Sequence, residues 1–208
     1  VREDARELLW PLQIGVAVPG GAEAAAHTAR QWAQRNAADT GKLLVKIDFE
    51  NAFNTIDREA VLREVRLHFP VLACWADWCY GSSSNLFFFD TRLRSEAGVQ
   101  QGDPLGPLLF ALALQPSLRE AKGDGTDAPE LLFGYLDDVL IAGHQTQVAL
   151  ALERFARKAQ EVGLRMSLTK CELVLAAGAQ STVNVAAFPD GMKVNRSGCF
   201  ELLGAPLE

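Results

Sequence analysis

Two adjacent carboxylates, Asp137 and Asp138, interrupt the otherwise apolar run LLFGYLDDVLIAG. Unit charges about 4 Å apart repel by about 4 kcal/mol at an effective dielectric of about 20, and flanking Leu and Val leave little water to screen them. Either one carboxyl keeps its proton or a cation lies between the pair. Asp is also a common turn residue, so a polar β-turn that uses it twice explains the pair as well. A third carboxylate, Asp48, ends the apolar run KLLVKID, where it could equally cap the turn that follows. Together, a strand-end Asp and a hairpin Asp pair could bring three carboxylates to one locus. Hard oxygen donors of this kind suit Mg²⁺, which binds one or two carboxylates plus substrate phosphates. Two such ions would clamp the attacking and leaving oxygens of an in-line phosphoryl displacement.

The elements that must position these residues follow from the pattern around them. Lys42 to Asp48 reads as a buried strand ending on its carboxylate. Leu131 to Tyr135 and Val139 to Ala142 read as two strands of a hairpin around the Asp pair. Ala22 to Ala38 is Ala-rich and helical, with Gly41 as its C-terminal stop. Asp57 can cap a helix running to about Phe69, where Pro70 breaks it. A helix over Leu72 to Tyr80 puts Trp75 and Trp78 on one face, expected to be core. Asn85 to Phe89 and Leu93 to Ala97 read as a second hairpin, and Phe87, Phe88 and Phe89 predict burial of both its faces. Gly98 to Gly102 is a loop, Pro104 to Leu118 a helix with Pro in its first turn, and Asp124 to Pro129 a surface loop. Gln147 to Val162 is an amphipathic helix stopped by Gly163, and short strands follow from Leu164. Hairpins mixed with helices favour an α+β fold over a doubly wound parallel sheet.

Composition narrows the functions available. The 208 residues carry 20 Lys+Arg against 26 Asp+Glu, a formal charge of −6. That excludes a simple basic module that coats DNA or RNA, which needs a cationic surface to displace counterions. It leaves room for an enzyme that gathers carboxylates at a metal site. The 49% hydrophobic content excludes disorder. Cys74, Cys79, Cys171 and Cys199 form no CxxC pair, and His27, His68 and His144 no HExxH, so zinc and thioredoxin-like chemistry are not indicated. No leader suggests secretion, and Pro104 to Leu118 is too short and Pro-interrupted to span a membrane, so an intracellular, nuclear or cytoplasmic, setting is expected. A start at Val1 suggests a piece of a longer protein. Gly41-Lys42 lacks the rest of a P-loop, and Gly81-Ser82-Ser83 is not a nucleophile elbow.

KIDFENAFNTIDR, GVQQGDPLGPLLFALAL, GYLDDVLIAG and GLRMSLTKCEL, in this order, strongly resemble the palm motifs of reverse transcriptases of the non-LTR retrotransposon type. FELLGAPL resembles the primer-grip region, and QIGVAVPGGAEAAAH the stretch before the first catalytic strand. The resemblance covers nearly the whole chain. It implies a polymerase palm, an antiparallel sheet backed by helices, over 42–69 and 98–208. Residues 1–41 and 70–97 would be fingers or connecting parts, and the thumb would be absent. It implies RNA-directed addition of dNTPs to a primer 3′-OH on an RNA or DNA template. Asp48, Asp137 and Asp138, with the Phe49 carbonyl, would hold two Mg²⁺, for which Mn²⁺ could substitute.

Phe53, five residues after Asp48, would exclude a ribose 2′-OH; Gln101, Gly102 and Tyr135 would contact the nucleotide. Lys170 would protonate or neutralise the leaving pyrophosphate, and Leu203 and Gly204 would hold the primer. Simpler roles stand beside these: Phe53 in the core, Gln101-Gly102 as an ordinary loop, Lys170 on the surface, Leu203-Gly204 at a strand end. Gly106 where Ser is usual, Ser167 where Asn is usual and Leu136 where Ala is usual depart from the pattern without removing a metal ligand. The missing fingers and thumb would supply most phosphate-gripping cations, and the chain would need them to polymerise. Other readings are an RNA-directed RNA polymerase, against which Phe53 argues, an inactive relic that binds nucleic acid or a partner, and a metal-dependent nuclease.

Overall fold

The computed structural model describes residues 1–207. Along the chain run α1 (Arg2–Leu9), α2 (Gly21–Asn36), β1 (Lys42–Ile47), α3 (Ala52–Thr55), α4 (Arg58–His68) and α5 (Pro70–Tyr80). Then come β2 (Ser84–Phe88), β3 (Thr91–Ser95), α6 (Gly106–Lys122), β4 (Leu131–Tyr135), β5 (Asp138–His144) and α7 (Gln145–Glu161). Four short strands finish the described chain: β6 (Glu172–Leu175), β7 (Lys193–Asn195), β8 (Phe200–Leu202) and β9 (Ala205–Leu207). The main sheet has the order β4-β5-β1-β6-β7. Its pairs are antiparallel except β6–β7, which is parallel and so departs from the all-antiparallel expectation. The fold is α+β, as the sequence pattern indicates.

Period-2 alternation builds two cores from one sheet. Leu43, Val45 and Ile47 of β1, with Val139 and Ile141 of β5 and Leu173 and Leu175 of β6, pack on α4, α6 and α7. Leu44, Leu140, Ala142 and Val174 point the other way, against Ala25 and Ala29 of α2 and Phe200, Leu202 and Leu207 of the β8–β9 hairpin. Helix α6 is buried almost throughout, from Leu108 to Ala121, as its near-continuous apolar sequence requires. Among the described residues no helix is long and apolar enough to cross a membrane.

Several local expectations are corrected. Helix α2 ends at Asn36, whose side chain donates to the Trp32 carbonyl, so Gly41 is not its stop. Instead the Gly41 N–H donates to Asp39 Oδ1, five residues into the connection. Helix α4 does end at His68, just before Pro70 as expected, but Pro70 also opens α5 at its first helical position, where the missing N–H costs no bond. Trp78 is 83% exposed and so does not join Trp75 in the core. Phe87, Phe88 and Phe89 are exposed as well, because among the described residues β2 pairs only with β3 and no layer covers that ribbon. By contrast, Asp57 caps α4 by accepting from the Glu59 N–H at 2.8 Å. Gly163, with φ of 80°, closes α7 in the left-handed conformation that suits glycine.

Candidate active site

The sheet register brings the three carboxylates to one edge. Ile47 pairs with Val139, so Asp48, the next residue, lies beside Asp138 at the start of β5. Asp138 in turn pairs with Tyr135, leaving Leu136 and Asp137 as the two-residue turn between β4 and β5. By alternation Asp48 and Asp138 share the face of Leu44 and Leu140, away from α6 and α7. Burial first, and then the Asp48 charge, push the Asp137 carboxyl above the usual carboxylate range, against a backbone hydrogen bond that lowers it. Burial, then the charges of Asp137 and Asp48, raise Asp138, which Lys46 partly offsets. The Asp48 charge thus reaches both Asp137 and Asp138, and the Asp137 charge reaches Asp138, so the three carboxylates share one locus.

Among the described residues, no group of three or more His, Cys, Asp or Glu side chains is arranged to hold a metal ion as it stands. The donor chemistry nevertheless fits a hard divalent cation. Carboxylates raised by burial and by their neighbours' charge, as Asp137 and Asp138 are, are those whose ionised forms a cation would favour. A cavity of about 660 Å³ lined by Trp10, Gln115, Arg119 and Arg154 contains none of these residues.

Asp48 is held from behind. Its N–H donates to Cys171 Sγ at 3.4 Å, and that thiol donates back to the Asp48 carbonyl at 3.5 Å. The Ser167 N–H donates to the same carbonyl at 2.9 Å. Burial pushes the Cys171 thiol up, so it stays protonated and able to donate. Lys170 Nζ stands 3.8 Å from Asp48 Oδ1 on a side chain that is 68% exposed, a contact that solvent leaves weak. Phe49 is buried, its ring 5.9 Å from that of Phe155, and it pairs with Met166. In that antiparallel pair, bonded through Ser167 to Asp48 and Glu50 to Arg165, the N–H and C=O of Phe49 itself point away.

The loop carrying Gln101 and Gly102 is fixed at nearly every backbone group leading to it. Gly98 N–H donates to Ile56 O, Val99 N–H to Phe53 O and Gln100 N–H to the Tyr80 hydroxyl. The Tyr80 hydroxyl donates to Asp103, while Asp103 Oδ1 accepts from Leu105 N–H. Burial, together with the Asp103 hydrogen bond, pushes the Tyr80 phenol up to about 12. Arg58, itself buried, donates to Gly98 O and to Ser95, and lies over the Tyr80 ring. Gln101 and Gly102 themselves are exposed; Gly102 has φ of 96°, with nothing within 4 Å of where a Cβ would stand.

Phe53 is half-buried and stacks on Phe110 of α6 with centroids 4.5 Å apart, so it borders the core rather than filling it. Tyr135 is half-buried beside Gly21 at the start of α2. Leu203 and Gly204, with φ of 52° and 78°, form the turn of the separate β8–β9 hairpin. The structure thus gathers Asp48, Asp137, Asp138 and Lys170, ties Phe53 to the Gln101 loop through Val99, and sets Leu203 and Gly204 on another unit. Sequence reasoning missed Gln13, Arg58, Tyr80 and Cys171. Only Gln13 carried a signal: a lone amide inside the apolar stretch WPLQIGVAV.

Residues 8–207 match the family described as reverse transcriptase (RNA-dependent DNA polymerase). The chain is 28% identical over 143 residues to the retrotransposable element SLACS 132 kDa protein of Trypanosoma brucei gambiense, covering 65% of this chain and 12% of that protein. It is 29% identical over 142 residues to the retrovirus-related Pol polyprotein from type-1 retrotransposable element R2 of Nasonia vitripennis, covering 63% of this chain and 14% of that protein. The chain therefore spans only a small part of these relatives' length. Apo telomerase from Candida tropicalis shares the fold, with a TM-score of 0.62 at 10% identity over 84% of this chain and 35% of that one. Telomerase from Candida albicans, in complex with a fragment of telomeric RNA, gives a TM-score of 0.61 at 9% identity over 83% of this chain and 34% of that one.

Proposed function

The chain belongs to the reverse transcriptase family, and from that premise we propose that it is the palm-centred part of a retroelement's RNA-directed DNA polymerase. The reaction is attack of a primer 3′-OH on the α-phosphate of a dNTP, with release of pyrophosphate. The observation that carries this reading is the register that puts Asp48, Asp137 and Asp138 at one sheet edge, where burial and neighbouring negative charge raise the carboxyls of Asp137 and Asp138. Asp48, Asp137 and Asp138, with the Phe49 carbonyl, would hold two Mg²⁺, or Mn²⁺ in their place. Divalent ions bound there supply charge neutralisation for the entering and leaving oxygens.

The remaining roles belong to the chain's own groups. Lys170, exposed beside Asp48, delivers a proton or positive charge to the pyrophosphate. Phe53, braced by its stack on Phe110, is a rigid wall against a 2′-OH. Gln101 and Gly102 stand on a preorganised loop with open space in front, and Gly102 lets a nucleotide approach the backbone closely. Tyr135, at the base of the Asp137 turn, flanks the nucleotide, and Leu203 and Gly204 support the primer. Template and primer are held through their backbones, since a copying enzyme needs contacts free of sequence preference. Fingers and thumb of the parent polyprotein, whose relatives are several times longer, complete the grip.

Primer extension on an RNA template with Mg²⁺, by the full-length protein, tests the reading. Extension is expected, with loss of activity on combining Asp137→Ala and Asp138→Ala; activity surviving that change would refute the mechanism. Phe53→Val should raise rNTP use, and unchanged discrimination would return Phe53 to a packing role.

A further inference from the structure

Gln13 is 0% exposed, a primary amide inside an apolar wall. Burying such a group without partners costs a few kcal/mol, so the destinations of its hydrogen bonds are informative. Its Nε2 donates to the Leu136 carbonyl at 3.1 Å, and its Oε1 accepts from the Leu136 N–H at 2.8 Å. The same Oε1 accepts from the Gly15 N–H at 3.1 Å. The side chain therefore pairs with both backbone groups of one residue, as a neighbouring strand would. That residue is Leu136, which has φ of 56° and immediately precedes Asp137. A leucine held in the left-handed region costs about 1–2 kcal/mol, and something must oppose its relaxation.

The surroundings are built for this approach. A Cβ at Gly15 would stand 2.7 Å from Leu136 N, and one at Gly134 would stand 3.2 Å from Gln13 Nε2. The backbone beneath is fixed as well: Gln13 N–H donates to Leu9 O, Ile14 N–H to Gly134 O, and Gly134 N–H to Leu12 O. The α1–α2 connection is thus tied to β4 at two points, and Gln13 extends that tie around the turn.

We propose that Gln13 is a positioning residue for the reaction: it holds Leu136 left-handed and so aims Asp137 and Asp138 at the locus shared with Asp48. This rests on the polymerase reading for its catalytic consequence, but not for its geometric one. A glutamine that merely satisfied itself in the core would contribute to stability alone.

The test uses the full-length protein with Gln13→Met, similar in length but unable to make these bonds, and Gln13→Glu, which keeps an acceptor and loses the donor. Mn²⁺ binding is read by electron paramagnetic resonance on the protein without nucleic acid or dNTP, and primer extension is read as kcat and KM separately. Expected is a roughly tenfold or greater weakening of Mn²⁺ binding, the scale seen when a group orienting metal ligands is removed. A matching fall in kcat is expected, with KM for template-primer within about twofold, because that site is not altered. Adding Leu136→Asn should recover part of both, since Asn tolerates the left-handed region. Both Gln13 variants binding Mn²⁺ like the parent would overturn the proposal, as would a loss confined to the urea midpoint with kcat unchanged. If Gln13→Met fails to fold, Gln13→Glu with and without Leu136→Asn decides alone. A parent protein that binds Mn²⁺ yet never extends a primer would sink the polymerase reading, and the Mn²⁺ measurement would still judge Gln13.

Discussion

Replacing Arg58 by alanine should cost the fold about 3–4 kcal/mol. Arg58 is 6% exposed, and its guanidinium donates to Gly98 O at 2.9 Å, Ser95 O at 2.9 Å and Ser95 Oγ at 2.7 Å. Gly98 is buried, so its carbonyl loses its Arg58 donor with no water to replace it, worth about 2 kcal/mol. Ser95 is half-exposed and can rehydrate, so its two lost bonds count for about 0.5 kcal/mol together. The guanidinium also lies 5.4 Å above the Tyr80 ring centroid, worth about 1 kcal/mol in a buried setting. The sum corresponds to more than about a hundredfold in the folding equilibrium, at tenfold per 1.4 kcal/mol. Arg58→Lys should fall between, because one ammonium cannot reach all three acceptors in the guanidinium's fork geometry. Urea unfolding of the 208-residue chain, followed by circular dichroism and tryptophan fluorescence, measures both differences at constant slope. A loss below about 1 kcal/mol for alanine, or lysine equal to arginine, would show that these bonds are not what holds residues 95–98.

Two further outcomes follow from the geometry. In a Tyr135→Phe background Tyr80 is the only tyrosine, and phenolate absorbance should show it ionising near pH 12 rather than 10. Its raised folded-state value means that the stability it contributes is complete below pH 10 and lost as the pH climbs through about 12; an ordinary titration would refute the buried Asp103 hydrogen bond. Gly21→Ala should destabilise by about 2 kcal/mol or more, because the new Cβ would stand 2.2 Å from the Ile14 carbonyl, backbone that its own bond to Gly134 holds in place. A Tm unchanged on that substitution would disprove the close packing of α2 on the Ile14 segment.

Much of the carboxylate edge was legible in sequence because alternation fixes it: an apolar strand ending in Asp48, and a hairpin folded on Asp137-Asp138, leave few registers that bury their Leu and Val. The supports were not legible, since Gln13 and Leu136 are 123 residues apart, as are Cys171 and Asp48, and no local period links them. Trp78 and the Phe87–Phe89 run misled for a related reason. Aromatic content predicts burial only if some other layer arrives to cover it, and among the described residues none does there.

That uncovered ribbon carries a colloidal risk. A two-stranded hairpin with bare aromatic rings and open edges can template pairing with a neighbouring molecule, the first step toward a sticky intermolecular sheet. Arg92 and Arg94 stand directly across from Phe87 and Asn85, so one face sets guanidinium groups beside its ring, the kind of interruption that opposes such stacking. The other face, with Leu86 across from Leu93 and Phe88 across from Thr91, has no charge opposite its apolar side chains. The two faces of one ribbon thus differ in how readily each would stick.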